Sequence, residues 1–294
     1  MKKTYSLELQ EKIAGYGFLA PTVVVLAAVV AFPLIYSLVA SFYAYTFVTP
    51  GFHLFVGFQN YLNALSDSYF WNSLIVTISF VIAVVSIEFT LGFIIALMLN
   101  RDIKFKSVYY TILTIPMLLS PVAVGLVWKM LLHPDLGIMN YFLSLFGIGP
   151  INWLGSPKGA FWSVLFVDIW QQISFMILLL LAGLVSLPKE PYEAATIDGA
   201  NEWQRLLFIT IPLMKPVIIV TLLIRTIFAF RTYDLIYVMT RGGPGVSTEV
   251  LSYFIYRKTF MGLNFAEASA TSYVLLVVVF VLVFVMFRFM EQKR

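Results

Sequence analysis

The side chains most able to do chemistry lie inside long apolar segments, where ionisable and amide groups are costly. Glu88, Asp168 and Arg225 each interrupt such a segment. The amides of Gln171 and Gln172 do the same. Two carboxylates could act as an acid and a base, or as metal ligands, if other groups joined them. The chain has no cysteine and its two histidines stand apart, so we expect no catalytic site, no metal site and no disulfide.

The composition predicts an integral membrane protein. Of the 294 residues, 61% are hydrophobic and only 12% are charged, whereas a soluble protein carries about 25% charged residues. A soluble core must be wrapped in a charged surface, but a lipid bilayer removes this requirement. Because helices satisfy their own backbone groups in lipid, we expect an all-α fold. The net charge is only +4, and we expect membrane lipid and no nucleic acid around the chain.

Six segments are long and apolar enough to span a membrane, since a spanning helix needs about 20 apolar residues. They are 18–42, 72–99, 108–131, 161–187, 217–237 and 268–289. The first is too long for the core of a cleaved signal peptide, and we interpret it as a retained helix. Two segments contain prolines, which membrane helices accept when neighbours satisfy the freed backbone groups. We therefore expect a single transmembrane domain over 1–294.

The positive charges place both termini in the cytoplasm. Cytoplasmic loops of membrane proteins carry an excess of Lys and Arg. Three such residues lie in each of four stretches: the N-terminus, the loop after the second segment, the loop after the fourth and the C-terminus. The opposite side carries only Lys158, Arg241, Arg257 and Lys258. We expect a multi-pass protein of the cytoplasmic (inner) cell membrane.

The loop 188–216, between the fourth and fifth segments, has the pattern of an ordered structure. Pro191 suits a first helical turn, and the residues after it favour a helix that ends at Asp198 and Gly199. Glycine reaches left-handed backbone angles at little cost, and the spacing predicts a second short helix over 200–211. Small alanines around the turn would let another protein approach closely. The same pattern also fits a loop that only packs on its own helix ends.

This loop resembles the EAA loop of ABC importer permeases. The resemblance is carried by Glu193, Ala194, Ala195, Asp198, Gly199 and Ala200, followed by Phe208, Ile211, Pro212, Leu213 and Pro216. In that family the loop forms a coupling helix that docks in a cleft of the cytoplasmic ATPase subunit. The resemblance implies that Glu193 pairs with a basic group of the ATPase and that Gly199 makes the turn. It also implies that Ala194 and Ala195 permit close docking.

Nucleotide binding is expected on another subunit. A phosphate-binding loop would carry GxxxxGK followed by Ser or Thr, and the chain has no such sequence. We therefore expect no cofactor on this chain. The resemblance implies ATP and Mg²⁺ at a partner ATPase dimer, so that this chain is a transport subunit and not an enzyme.

The segment 228–249 is similar to the carbohydrate-uptake branch of these permeases, and most similar to the MalF-like first permease of a pair. The resemblance covers nearly all of the chain and implies a MetI-like permease bundle in a short six-span form. It also implies three kinds of partner: a second permease subunit, the ATPase dimer and an extracytoplasmic substrate-binding protein. The large insertion and extra N-terminal spans of longer relatives are absent from this sequence.

Substrate-lining positions are carried over by register onto the fourth and fifth segments. They are Trp170, Gln171, Gln172 and Phe175, and Arg225, Phe228, Ala229 and Thr232. The last four are spaced i, i+3, i+4 and i+7, which predicts one face of a helix. Amides could bond to sugar hydroxyls and rings could stack on sugar C–H faces, which fits the import of a di- or oligosaccharide. Aromatic stripes in membrane helices also arise from packing alone.

Arg225 leaves two interpretations open, because a charge within a span marks a functional site. It could contact substrate, which would favour a permease for glycerol phosphate or another anionic polyol derivative. It could instead form an ion pair with Glu88 or Asp168 and hold the helices together. An ion-driven carrier would be a different class, but it predicts internal repeats with ion ligands in both halves. We find neither in this sequence.

Overall fold

The computed structural model describes residues 7–291, and its regular elements are helices. An isolated β-bridge joins Tyr43 and Phe55. In chain order the α-helices are α1 (Leu7–Leu26), α2 (Phe32–Ala40), α3 (Gln59–Ser66), α4 (Ser68–Leu99), α5 (Lys106–Leu118), α6 (Pro121–Leu131), α7 (Ile138–Leu145), α8 (Pro157–Val185), α9 (Glu190–Ile197), α10 (Glu202–Arg205), α11 (Ile211–Phe230), α12 (Asp234–Met239), α13 (Leu251–Tyr256) and α14 (Phe265–Glu291). The expected all-α fold is confirmed for the described residues.

Five helical stretches are long and apolar enough to cross a membrane, and one bent helix pair can form a sixth span. The continuous stretches are Ala14–Ala40, Ser68–Leu99, Pro157–Val185, Glu202–Met239 and Phe265–Arg288. Four of them begin and end within a few residues of the expected first, second, fourth and sixth segments. The third segment differs from expectation near a proline. The fifth differs at a helix break.

The expected third segment, 108–131, is wrong as a straight span. It consists of α5 and α6, which are bent by 97° relative to each other. The two linking residues are extended, with ψ of 145° at Leu119 and 132° at Ser120. Pro121 disfavours helical backbone at the residue before it, so the helix breaks there.

Two side chains of α8 satisfy backbone carbonyls of the broken span. Gln171 Nε2 donates to the carbonyl oxygen of Leu119 over 2.9 Å, and Ser174 Oγ donates to the carbonyl oxygen of Leu113. The two donors are spaced i, i+3 and share a face of α8. The expectation that neighbouring helices satisfy backbone groups near proline is confirmed here.

The expected fifth segment, 217–237, begins earlier and is interrupted. The span starts at Glu202 and includes α10 and α11, but regular helix stops at Phe230 and resumes at Asp234. The expectation of a separate short helix over 200–211 is therefore wrong, because these residues are the first turns of the span. The expected helical face also ends before Thr232, which lies in the interruption.

Two π-helical turns allow proline near the start of a regular helix. Ala27–Ala31 precedes Pro33, and Leu206–Thr210 precedes Pro212. A proline removes one backbone donor, and its ring collides with the carbonyl four residues earlier. In both cases that carbonyl belongs to the wider turn. The two spans therefore continue past their prolines.

Close packing of α4, α8 and α11 depends on glycines. A Cβ built on Gly92 of α4 would lie 2.9 Å from Met176 Cγ, and one on Gly183 of α8 would lie 2.7 Å from Val217 Cγ1. Small residues are what allow membrane helices to approach each other. Of the five continuous spans, α8 is the most enclosed, with 61% of its apolar window buried inside the chain.

The chain forms two compact units. The first contains the chain up to Ser66 together with Ile255–Val274, and the second contains Asp67–Phe254 and the chain from Leu275. In the first unit only 6% of the apolar window of the first span is buried inside the chain, which leaves this helix to lipid or to another subunit. The second unit contains the ionisable and amide side chains that interrupt the apolar segments.

Candidate functional site

The loop between the fourth and fifth spans contains an ordered helix and a turn, as its sequence predicts, and the turn leads directly into the first helical turns of the fifth span. The first helix, α9, has Pro191 in its first turn and Asp198 as its C-cap. Gly199 has a φ of +75°, a left-handed conformation that costs other residues about 1–2 kcal/mol. The next helix begins with a capping box, in which Asn201 and Gln204 each bond the backbone N–H of the other.

The outer surface of this loop is exposed and partly apolar. Glu193, Ala194, Asp198 and Gly199 are exposed, while Ala195 and Ala200 are half-buried. Two large apolar side chains stand beyond them, Ile197 with 88% and Trp203 with 73% of its area exposed. We interpret these exposed apolar side chains as candidate contacts for another protein. Docking on an ATPase stays a prediction for all six motif residues.

The inner surface of the loop is fastened to the helices beside it. Tyr192 donates from its hydroxyl to Thr210 Oγ1 over 2.9 Å, across 18 positions of chain. Glu202 pairs with Arg101 at 2.8 Å and with Arg205 at 3.2 Å. One face of the loop therefore packs on the protein's own helix ends, while docking of a partner on the exposed face stays a prediction.

The three charged side chains within the spans form one cluster, which we call the ionic clasp (Glu88, Asp168 and Arg225). Arg225 donates from Nε to Glu88 Oε2 and from Nη2 to Glu88 Oε1, the latter over 2.9 Å. Its Nη2 also donates to Asp168 Oδ2. All three residues are buried, with at most 3% of their area exposed. The interpretation of Arg225 as an ion-pair partner is confirmed, and it pairs with both carboxylates.

The ionic clasp joins three helices through one guanidinium. Glu88 lies on α4, Asp168 on α8 and Arg225 on α11. Only a planar fork with several donors can hold two carboxylates in this way, which distinguishes arginine from lysine. Charges in a membrane interior require such partners because no water is available to solvate them.

The sequence-predicted pathway residues on α8 occupy different environments. Gln171 is buried and its amide nitrogen is already bonded to the broken span, while its Oε1 has no partner within the described residues. Trp170, Gln172 and Phe175 are half-buried. The Trp170 ring packs edge-on against Trp128, with centroids 5.4 Å apart.

The predicted pathway residues on and beyond α11 also differ in how far they are buried. Phe228 is 45% exposed, whereas Ala229 and Arg225 are buried. Phe228 meets Phe175 of α8 across the helix pair, with ring centroids 5.6 Å apart. Thr232 is half-buried beyond the end of α11, and its carbonyl accepts from Ser252 Oγ. A pathway role for these eight positions stays a prediction.

Two contributors to this region were missed at the sequence level. Ser174 was not singled out, although a serine three residues after Gln171 on a helix opposite a proline-broken span is a usable signal. The role of Gln171 as a donor to the backbone was also missed. The bond from Gln171 follows once the break at Pro121 is known, because the carbonyl of Leu119 at the break needs a donor.

Comparisons with known proteins agree with this geometry. A family model described as "Binding-protein-dependent transport system inner membrane component" matches residues 88–292. The trehalose/maltose transport system permease protein MalF of Thermococcus litoralis is 38% identical over 276 residues, which cover 94% of this chain and 93% of that protein. The sn-glycerol-3-phosphate transport system permease protein UgpA of Agrobacterium fabrum is 32% identical over 294 residues, covering 98% of each.

A solved structure shares the fold. One chain of the crystal structure of a bacterial alginate ABC transporter, in complex with an alginate pentasaccharide-bound periplasmic protein, superposes with a TM-score of 0.85. The two chains are 24% identical, and the match covers 97% of this chain and 96% of the other.

The apolar helical bundle with a folded loop before its fifth span defines a membrane transport subunit of the ABC permease class. The family match covers more than half of the chain. The chain belongs to the family of binding-protein-dependent transport system inner membrane components. The expectations of an ABC importer permease, of a MetI-like fold and of a transport subunit without enzyme activity are confirmed.

Proposed function

We propose that this chain forms one half of the pathway of an ATP-driven importer for a di- or oligosaccharide. The observation that carries the transport mechanism is the exposed face of the loop around Glu193 and Gly199, held on a rigid inner face. The sugar assignment is supported by the relative from Thermococcus litoralis, which is named as a trehalose/maltose permease. The chain performs no covalent chemistry and moves its substrate by alternating access.

The half-buried residues of α8 and α11 suit a sugar. Trp170, Phe175 and Phe228 offer ring faces on which the C–H faces of a sugar can stack. Gln172 is half-buried and its side chain bonds to no other described residue, so that its amide can donate to and accept from hydroxyls. Because a carrier must bind and release its cargo, we expect these contacts to be modest in strength.

The rival function is import of glycerol phosphate or another anionic polyol derivative. It is favoured by the similarity to a glycerol-3-phosphate permease. Arg225 would be its natural phosphate ligand, but its Nε and Nη2 already donate to Glu88 and Asp168. With both carboxylates ionised the ionic clasp carries a formal charge of −1, which repels an anion. We therefore favour a neutral sugar.

The partners follow from the same proposal. The ATPase dimer that binds ATP and Mg²⁺ docks on the coupling loop from the cytoplasm, and an extracytoplasmic binding protein delivers the substrate from outside. A second permease subunit supplies the other half of the pathway in the cytoplasmic membrane. The nearly unburied first span offers one apolar surface for such a subunit. The expectation of one transmembrane domain over 1–294, with the coupling loop at 188–216, is part of this proposal.

The test is transport by the assembled complex in proteoliposomes. This chain, its second permease, the ATPase and the binding protein would be reconstituted, and uptake of radiolabelled maltose or trehalose measured with and without ATP. We expect ATP-dependent uptake that unlabelled disaccharide inhibits and glycerol 3-phosphate does not. Inhibition by glycerol 3-phosphate, with no effect of either disaccharide, would establish the rival function.

A further inference from the structure

The ionic clasp lies beside the turns that carry the predicted pathway residues. Asp168 precedes Gln172 by one turn of α8, and Arg225 precedes Phe228 by one turn of α11. The two helices also meet at the ring pair of Phe175 and Phe228, with centroids 5.6 Å apart. The clasp therefore joins the same two helices that carry the predicted pathway residues.

The helix that supplies Arg225 begins at the coupling loop. The span runs from Glu202 through the π-helical turn Leu206–Thr210 into α11. The hydroxyl of Tyr192, on α9, is bonded to Thr210 in that turn at 2.9 Å. A hydrogen bond and a continuous helix thus join α9 to the base of α11.

We propose that the ionic clasp positions the pathway surfaces of α8 and α11, and that it passes movement of α11 to α4 and α8. This inference rests on the proposed transport function. Arg225 acts through Glu88 and Asp168 and is a positioning residue, not a substrate ligand. Among the described residues of α11, Arg225 is the only buried polar side chain that bonds to both α4 and α8.

A series of substitutions separates the charge balance from the presence of arginine. Arg225→Met leaves two carboxylates without their cation, while Arg225→Met with Glu88→Gln and Asp168→Asn removes every charge at similar volume. Replacing a buried ion cluster by neutral groups is often tolerated, whereas removing one partner is not. Arg225→Lys keeps the charge but loses the planar fork. Arg231→Lys, at an exposed position one residue beyond α11, is the matched control.

The first readout is maltose uptake and binding-protein-stimulated ATP hydrolysis in proteoliposomes, each per assembled complex. We expect Arg225→Lys to assemble and hydrolyse ATP, but to lose uptake about tenfold or more, because small displacements of positioned groups are costly. The triple neutral variant should take up more maltose than Arg225→Met. Unchanged uptake per complex in Arg225→Lys would show a merely structural role. A triple variant as inactive as Arg225→Met would indicate substrate contact and overturn the proposal.

A second readout does not depend on the identity of the substrate. The chain has no native cysteine, so Phe175→Cys with Phe228→Cys gives a single reporter pair between α8 and α11. Its oxidative cross-linking rate would be measured in complexes with and without ATP. We expect ATP to change the rate with Arg225 present and not with Arg225→Lys. The same ATP response in both would overturn the proposal, even if the importer carried another substrate.

Discussion

The coupling loop and the ionic clasp belong to the same compact unit but are specified in opposite ways. The loop is exposed, and its shape follows from neighbours in sequence: Pro191 begins a helix, Gly199 turns the chain and Asn201 caps the next helix. The clasp is buried, and Arg225 lies 137 positions from Glu88 and 57 positions from Asp168 in the chain. Local signals thus define the surface on which we propose that a partner docks, while long-range contacts define the buried cluster proposed to respond.

The largest expected effect comes from removing the cation of the clasp. Arg225→Met leaves two buried carboxylates unpaired, and we expect a loss of about 3–5 kcal/mol in the free energy of unfolding. Reversible unfolding in mixed micelles measures it. The control is Arg231→Met at an exposed position, which should change stability by at most about 0.5 kcal/mol. Equal effects at the two positions would remove the distinction between clasp and surface.

A smaller effect is expected where α8 supports the broken span. Gln171→Leu removes the donor to the carbonyl of Leu119, and interhelical hydrogen bonds in membranes contribute about 1 kcal/mol. The same unfolding measurement applies. Gln172→Leu is the matched control, since the amide of Gln172 bonds to no described residue, and it should leave stability within about 0.5 kcal/mol of wild type. A larger loss for Gln172→Leu would contradict this assignment of roles.

The smallest effect is expected at the exposed ion pairs of the loop. Glu202 and Arg101 are 72% and 73% exposed in their side chains, so solvent screens their attraction. Glu202→Gln should cost less than about 1 kcal/mol, and the difference should shrink as salt is added. A loss comparable with that of Arg225→Met, insensitive to salt, would mean that the loop is held by charge and not by Tyr192 and backbone turns.

Much of the fold could be predicted from sequence because lipid imposes simple rules. Segment length and apolar composition predicted the spans, and four of them agree closely with the helices. The effect of each proline was harder to predict. A π-helical turn accommodates Pro33 within a span, whereas the helix breaks at Pro121. The carbonyl of Leu119 at the break is bonded by Gln171 of another helix, a long-range contact that no local pattern shows.

The candidate site divides in the same manner. The turn at Gly199 and the helix before it were predictable, because capping and left-handed backbone are local properties. The pairing of Arg225 with both carboxylates was not, because nothing in the sequence gives the rotation of three helices about their axes. Thr232 was placed on a helical face by its i+7 spacing from Arg225, but the helix ends at Phe230.

The most direct test of the account is co-purification of the ATPase with this chain from mild detergent. Gly199 requires a φ of +75°, which proline cannot adopt and asparagine tolerates. We expect wild type and Gly199→Asn to retain the ATPase, and Gly199→Pro to lose it while the second permease stays bound. The assignment of this loop as the coupling site would be contradicted if Gly199→Pro retained the ATPase. It would also be contradicted if no ATPase co-purified with wild type.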